Sequence, residues 1–304
     1  MTANHALRIL AILAASASAA VLASACKRDK PASAEPSAVI AAADSAQRPV
    51  DKTPLAGVDV SNLDEAKQET FYKLMGTLSS PCGKAQSLRT SVTSDTSCRR
   101  AAFAARYVAA LLGDGAPETF IQEDFEKRYK GEAVAIDVAN SPKQGNDDAP
   151  IKLVEFFDYA CPACQAMRPK LEKAIAAHQG QVVVYYKMFP LDSVHPDSRS
   201  AAQAAVAAQA QGKFLEMHEL LFAKSPAHKR EDVIGYARAL GLDLAKFEAD
   251  YAAASAFIDT DQQQGDNLGV KSTPTLFFNG RKYSGPHDDK YLGMWIDEEM
   301  AVNR

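Results

Sequence analysis

Cys161-Pro162-Ala163-Cys164 constrains this chain more than any other stretch, because it sits where an apolar strand gives way to a helix. Upstream, Ile151-Lys152-Leu153-Val154-Glu155-Phe156-Phe157 is β-branched and aromatic, the composition of a buried strand. Downstream, Met167, Leu171, Ala174, Ile175 and His178 recur at helical spacing. Pro162 then falls at the first helical position, where proline is best tolerated, and Cys161 at the helix N-terminus. Unpaired N–H groups and the positive end of the helix dipole stabilise a thiolate there. The arrangement points to a reversible disulfide. A structural zinc site needs two further ligands, and the six histidines hold no His-x3-5-His pair, nor is there a second Cys-x-x-Cys. An inert crosslink is the blander alternative.

Around this motif the sequence reads as an α/β fold. Glu132 to Val138 alternates polar and apolar residues like an outer strand, and Ser141-Pro142 with Gly145 marks a loop. Gln181 to Met188 is a second strand rich in valine and tyrosine. Segments 198–211, 214–223, 230–240 and 244–264 have helical spacing. Thr275–Phe278 and Arg281–Ser284 flank Asn279-Gly280, a hairpin signal, and His287 to Ala301 reads as a final amphipathic helix. Together these give a central sheet with a helical lid. Ahead of it lies a small all-α module. One helix starts near Ser61-Asn62-Leu63-Asp64 and runs through Leu74, a second spans Cys98 to Leu112, and a third spans Glu118 to Tyr129.

The strand, the CPAC motif and the helix together resemble the thioredoxin superfamily, and its DsbA-like thiol:disulfide oxidoreductases most closely. Val154-Glu155-Phe156-Phe157-Asp158-Tyr159-Ala160 is similar to that family's approach to its redox site, with an acid six positions before the first cysteine. Phe189-Pro190-Leu191-Asp192-Ser193-Val194-His195-Pro196, leading into helices up to Asn267, resembles the helical insertion that sets DsbA-like proteins apart. Gly269-Val270-Lys271-Ser272-Thr273-Pro274-Thr275-Leu276-Phe277-Phe278 resembles the cis-proline loop and its following strand. The resemblance covers about 132 to 304 and implies a thioredoxin-like fold with a helical insertion. More weakly, Pro81-Cys82-Gly83-Lys84-Ala85-Gln86-Ser87-Leu88, with the helices around it, resembles the three-helix domain of CcmH-type cytochrome-maturation proteins. Ser79 stands where those proteins carry the first cysteine of a Cys-x-x-Cys.

The family implies catalytic roles for Cys161 and Cys164, with Glu155 beneath them assisting proton transfer from Cys164. The bland reading of Glu155 is an edge or ion-paired carboxylate, with Lys187 on the adjacent strand as a candidate partner. The family likewise implies a cis Pro274 whose loop presents backbone groups to an extended substrate, with Thr273 tuning that contact. An ordinary trans turn is the alternative for a lone proline. No cofactor beyond the thiols is implied. The implied partners are unfolded or thiol-bearing envelope proteins and a membrane redox partner that recycles the disulfide.

Arg8 followed by the uncharged run Ile9 to Ala25 reads as a signal peptide, which places the mature chain in the periplasm or cell envelope. Leu22-Ala23-Ser24-Ala25-Cys26 resembles a bacterial lipoprotein box, although Ala23 stands where leucine is usual. Cys26 is accordingly a lipidation candidate, with plain cleavage after Ala25 as the alternative. The stretch after it is rich in Ala, Ser, Pro and charge and cannot build a core. The expected layout is a signal peptide over 1–25, a disordered tether over 26–54, a three-helix module over 55–131 and the DsbA-like domain over 132–304. A net charge of −4 gives no argument for nucleic-acid binding. No segment past residue 25 is long and apolar enough to span a bilayer.

Setting Cys26 aside, four cysteines allow three pairings. With Cys161–Cys164 as the exchanging pair, Cys82 and Cys98 remain for a structural disulfide, or for an electron relay as the sharper alternative. The expected activity is disulfide exchange with substrate proteins, the oxidase direction favoured by the resemblance. The alternatives are a reductase or isomerase for a dedicated client such as an apocytochrome, and a chaperone-like holder.

Overall fold

The strand Ile151–Phe157 owes its central place to its composition: every residue but Lys152 is buried, which suits a strand covered on both faces. A computed structural model describes residues 49–303 of the chain, and from Val50 on they form one unit. The expected signal peptide and Cys26 lie outside the described residues, as does the tether up to residue 48.

Among the described residues four helices come first, one more than the sequence suggests over this stretch: α1 (Glu65–Thr77), α2 (Leu88–Ser94), α3 (Ala101–Gly113) and α4 (Glu118–Lys130). The additional helix α2 is short and begins at Ser87, whose hydroxyl accepts the Thr90 N–H. These helices bury Phe71, Leu74, Met75, Leu88, Tyr107, Val108, Leu111, Ile121 and Phe125 in one core. Cys82 and Cys98 are joined there by a disulfide that ties the loop before α2 to the turn before α3.

The sheet follows. Strands β1 (Lys143–Gln144), β2 (Ile151–Phe157), β3 (Val182–Met188), β4 (Thr275–Phe278) and β5 (Arg281–Lys282) stand in the order β1-β3-β2-β4-β5. β2 runs parallel to β3, with α5 (Pro162–Ala176) as the crossover, and antiparallel to β4. Between β3 and β4 the chain inserts α6 (Ser198–Gln209), α7 (Phe214–Lys224), α8 (Arg230–Ala239), α9 (Leu244–Ala253) and α10 (Ser255–Asn267). This is a thioredoxin-like fold with the helical insertion that the resemblance implied. The chain closes with α11 (Asp289–Val302), whose Tyr291 enters the core of the first four helices. Among the described residues no helix is long and apolar enough to cross a membrane.

Alternation sorts the sheet into two faces. Ile151, Leu153 and Phe157 share one core with Val184, Tyr186, Leu276, Phe278, α5 and the insertion. Val154, Phe156, Val183, Tyr185 and Phe277 form the other, covered by Ile136, Val138, Leu191 and Leu268.

Two expected elements differ. Residues 132–138 are not a strand: their apolar side chains cover the second face, and the Val134 N–H donates to the Gly280 carbonyl at 2.9 Å, a single bond to the turn. The outer strands of the sheet are β1 and β5 instead. Gly280 makes this contact feasible, since its φ is +80° and a Cβ there would lie 2.3 Å from the Val134 oxygen. The expected helix over 244–264 is split at Ala254. There the Ala254 N–H donates to the Tyr251 carbonyl at 3.4 Å, closing a tighter turn, and Gln203 Nε2 donates to the same carbonyl and to Ser255 Oγ, each at 3.1 Å.

Candidate active site

The dithiol is built where β2 ends and α5 begins. Cys161 is the N-cap of α5 and Pro162 follows in the first turn. The Cys161 N–H donates to the Asp158 carbonyl at 3.2 Å, and its own carbonyl accepts the Gln165 N–H at 3.1 Å. Both cysteines are free thiols, and Cys164 is fully buried. From across the site, the Thr273 carbonyl accepts the Cys161 thiol at 3.4 Å, and the Thr273–Pro274 peptide bond is cis. The geometry therefore gathers Cys161, Cys164, Thr273 and Pro274.

The two sulfurs differ in acidity. Cys161 is lowered to about 5, chiefly by the hydrogen bond that the Cys164 thiol gives its thiolate. Burial opposes the fall, while the Thr273 side chain and the N–H groups of Ala163 and Cys164 add to it. The Thr273 hydroxyl is buried with no other partner, so it is free to serve the thiolate. Cys164 is pushed far up, first by burial and then by donating to Cys161 and by the nearby Glu155.

Glu155 lies on the β2 face that looks towards α5, opposite Tyr186 on one side and Leu276 on the other. Burial raises its carboxyl to about 7, with Arg168 opposing and Glu172 assisting the rise. Lys187 is not its partner. It pairs with Phe156 in the register, which puts its side chain on the opposite face of the sheet. There it holds Asp261 of α10 at 2.9 Å, and Asp261 also accepts the Met188 N–H. Arg168, one of the charges that acts on Glu155, was not picked out from the sequence; its place one turn beyond Cys164 on α5 was the available signal.

A second group went unassigned. Asp158 sits between β2 and Cys161 with its side chain wholly enclosed. His195 and Ser198, some 37 and 40 residues further on, both bond to it. Gln165 donates to Ser225 at 2.7 Å, a further tie between α5 and the insertion. Cys82 and Cys98 belong to the first four helices and not to this site. Among the described residues no cluster of three His, Cys, Asp or Glu could hold a metal.

The family model described as thioredoxin matches residues 137–298. The chain belongs to this thioredoxin family. It is similar to the Na(+)/H(+) antiporter NhaA 1 of Mycobacterium sp. (strain KMS), 36% identical over 158 residues, or 50% of this chain and 26% of that one. It is also similar to the Na(+)/H(+) antiporter NhaA 3 of Salinispora tropica, 34% identical over 173 residues, 56% of this chain and 26% of that one. The chain thus spans about a quarter of the length of these curated relatives. Oxidised BdbD from Bacillus subtilis shares the fold at a TM-score of 0.50 and 22% identity, covering 56% of this chain and 98% of that one.

Proposed function

We propose that this protein is a thiol:disulfide oxidoreductase that exchanges disulfides with thiol-bearing proteins through Cys161 and Cys164. The observation that carries the reading is a free Cys161 thiol at the N-terminus of α5, 3.4 Å from the Thr273 carbonyl beside the cis Pro274, with the free Cys164 fully buried one turn further on. The acidities, lowered for Cys161 and raised by burial for Cys164, accord with it. In the oxidase direction, a substrate thiolate attacks the Cys161 sulfur of the enzyme disulfide. The enzyme S–S bond breaks, a mixed disulfide forms, and Cys164 leaves with the electron pair. The buried Cys164 thiolate takes up a proton, for which the Glu155 carboxyl is placed and tuned. A second substrate thiolate then attacks the substrate sulfur and releases Cys161 as a thiolate. The substrate is oxidised by two electrons and the enzyme left as a dithiol.

An acidic Cys161 favours this direction twice. It is a good leaving group in the second step, and its stabilised thiolate stabilises the reduced enzyme. We further propose an envelope location, from the expected signal peptide, with Cys26 as a lipid anchor and a membrane redox partner restoring the disulfide. Cys82–Cys98 serves as a structural staple.

The test is alkylation of the reduced full-length chain against pH, alongside turnover of a reduced unfolded protein. Cys161 should titrate near 5 with Cys164 protected, and Cys161→Ser should abolish turnover. A Cys161 midpoint near the ordinary thiol value of about 8.5 would sink the reading. Equilibration with glutathione decides direction: a potential towards about −120 mV supports the oxidase, and one near −270 mV a reductase.

A further inference from the structure

Asp158 carries more hydrogen bonds than any turn requires. Its Oδ1 accepts the Ala160 N–H at 2.7 Å and the Ser198 hydroxyl, and its Oδ2 accepts the Leu191 N–H at 2.9 Å and His195 Nδ1–H at 2.8 Å. One donor belongs to the loop that bears Cys161. The other three belong to residues 191–198, where the insertion starts. The Asp158 main-chain carbonyl meanwhile accepts the Cys161 N–H.

We infer that the Asp158 carboxylate and His195 are positioning residues for thiol exchange, clasping the loop that delivers Cys161 to the N-terminus of α5 onto the start of the helical insertion. The inference rests on the oxidoreductase reading above and extends it to residues that touch neither sulfur through their side chains. Thiolate stabilisation at this site comes from donors in fixed places: the Cys164 thiol, the Thr273 side chain and the N–H groups of Ala163 and Cys164. Hydrogen bonds weaken steeply as distance and angle drift, so the loop must hold its place to a fraction of an ångström. Four converging donors call for a carboxylate. An asparagine offers one acceptor oxygen and turns its NH2 towards groups that also donate. His195 supplies one of two bonds to Oδ2 and is partly exposed, its side chain 18% accessible, so it can be changed without opening the core.

The experiment compares His195→Ala, His195→Asn, Ser198→Ala and Asp158→Asn in the full-length chain. Three readouts are taken: the alkylation midpoint of Cys161, the equilibrium constant with glutathione, and the thermal midpoint. His195→Ala should raise the Cys161 midpoint by about half a unit and shift the glutathione equilibrium roughly threefold towards the enzyme disulfide, because one oriented hydrogen bond is lost. His195→Asn, whose amide N–H can replace the Nδ1 donor, should restore most of both. Asp158→Asn should shift them further; if it fails to fold, the His195 pair decides. A folded His195→Ala with unchanged midpoint and equilibrium overturns the inference, even if its thermal midpoint falls. So does an equal shift in His195→Ala and His195→Asn. A wild-type chain that neither titrates near 5 nor equilibrates with glutathione refutes the oxidoreductase reading instead.

Discussion

Replacing Glu155 by Gln should stabilise the protein at alkaline pH and leave it little changed in acid. The carboxyl is 6% exposed in a sheet face packed against α5. Burial moves it from an ordinary value of 4.5 to about 7. At about 1.36 kcal/mol per tenfold change in proton affinity, ionising it in the folded state costs about 3 kcal/mol more than in the unfolded chain. The folded protein holds this proton more tightly, so wild-type stability is complete below about 4.5 and falls as pH rises towards 7. Glutamine stays neutral throughout. Denaturant unfolding of the variant and its parent, both in a Cys161→Ser/Cys164→Ser background, should agree at pH 4. At pH 8 they should differ by about 3 kcal/mol in favour of Gln, or roughly 6–12 °C in thermal midpoint. A gap independent of pH, or a less stable variant at pH 8, refutes the assignment of a buried carboxyl with a raised pKa. In the active enzyme the same substitution should slow exchange by roughly 10²-fold and remove its inflection near 7, since the carboxyl that supplies the proton to the leaving Cys164 is gone.

Mild reduction that opens Cys161–Cys164 should leave Cys82–Cys98 closed, read by mass after alkylation, and opening of both pairs together would favour an electron relay. Replacing Cys82 and Cys98 by Ser should cost about 3 kcal/mol on the chain-entropy account of their loop, measured by urea unfolding. Arg128→Ala should cost about 3–5 kcal/mol, because it leaves the buried Glu298 carboxylate short of its main cation, and adding Glu298→Gln should recover part of the loss.

The strand, the CPAC motif and α5 were legible because local pattern alone determines them: apolar composition, proline at the first turn, helical spacing. The Asn279-Gly280 turn was legible for the same reason, with both residues at positive φ. What resisted was long-range. Placing Lys187 beside Glu155 failed because adjacency between strands does not give the face, and the parallel register sets them on opposite sides. The stretch 132–138 had the alternation of an outer strand, yet its one bond to the sheet region, from the Val134 N–H, goes to the Gly280 carbonyl in a turn 146 residues away. At the break near Ala254 the partner of Tyr251 and Ser255 is Gln203, on another helix. Asp158 stood in plain view three residues before Cys161, but three of its four donors lie beyond the next strand.

Arg128 is stacked between Trp295 and Tyr107, 4.1 and 4.3 Å from their ring centres, and bonds Glu298 at 2.7 Å. Arg100 of the same helical region meets Glu298 and Glu299 at 2.6 and 2.8 Å, and Arg281 meets Glu299 from β5 at 2.8 Å. Burial alone would raise Glu298, but Arg128 and Arg100 hold it below the ordinary carboxylate range. The network has a consequence for truncation. A gene fragment beginning after Lys130 would encode all the described strands and both exchanging thiols, yet would lose Arg128, Arg100 and the aromatic wall at Tyr107, and would open the α11 face that carries Tyr291 and Glu298 to water. α11 therefore serves two masters, closing the sheet on one side and anchoring the first four helices by charge and ring stacking on the other.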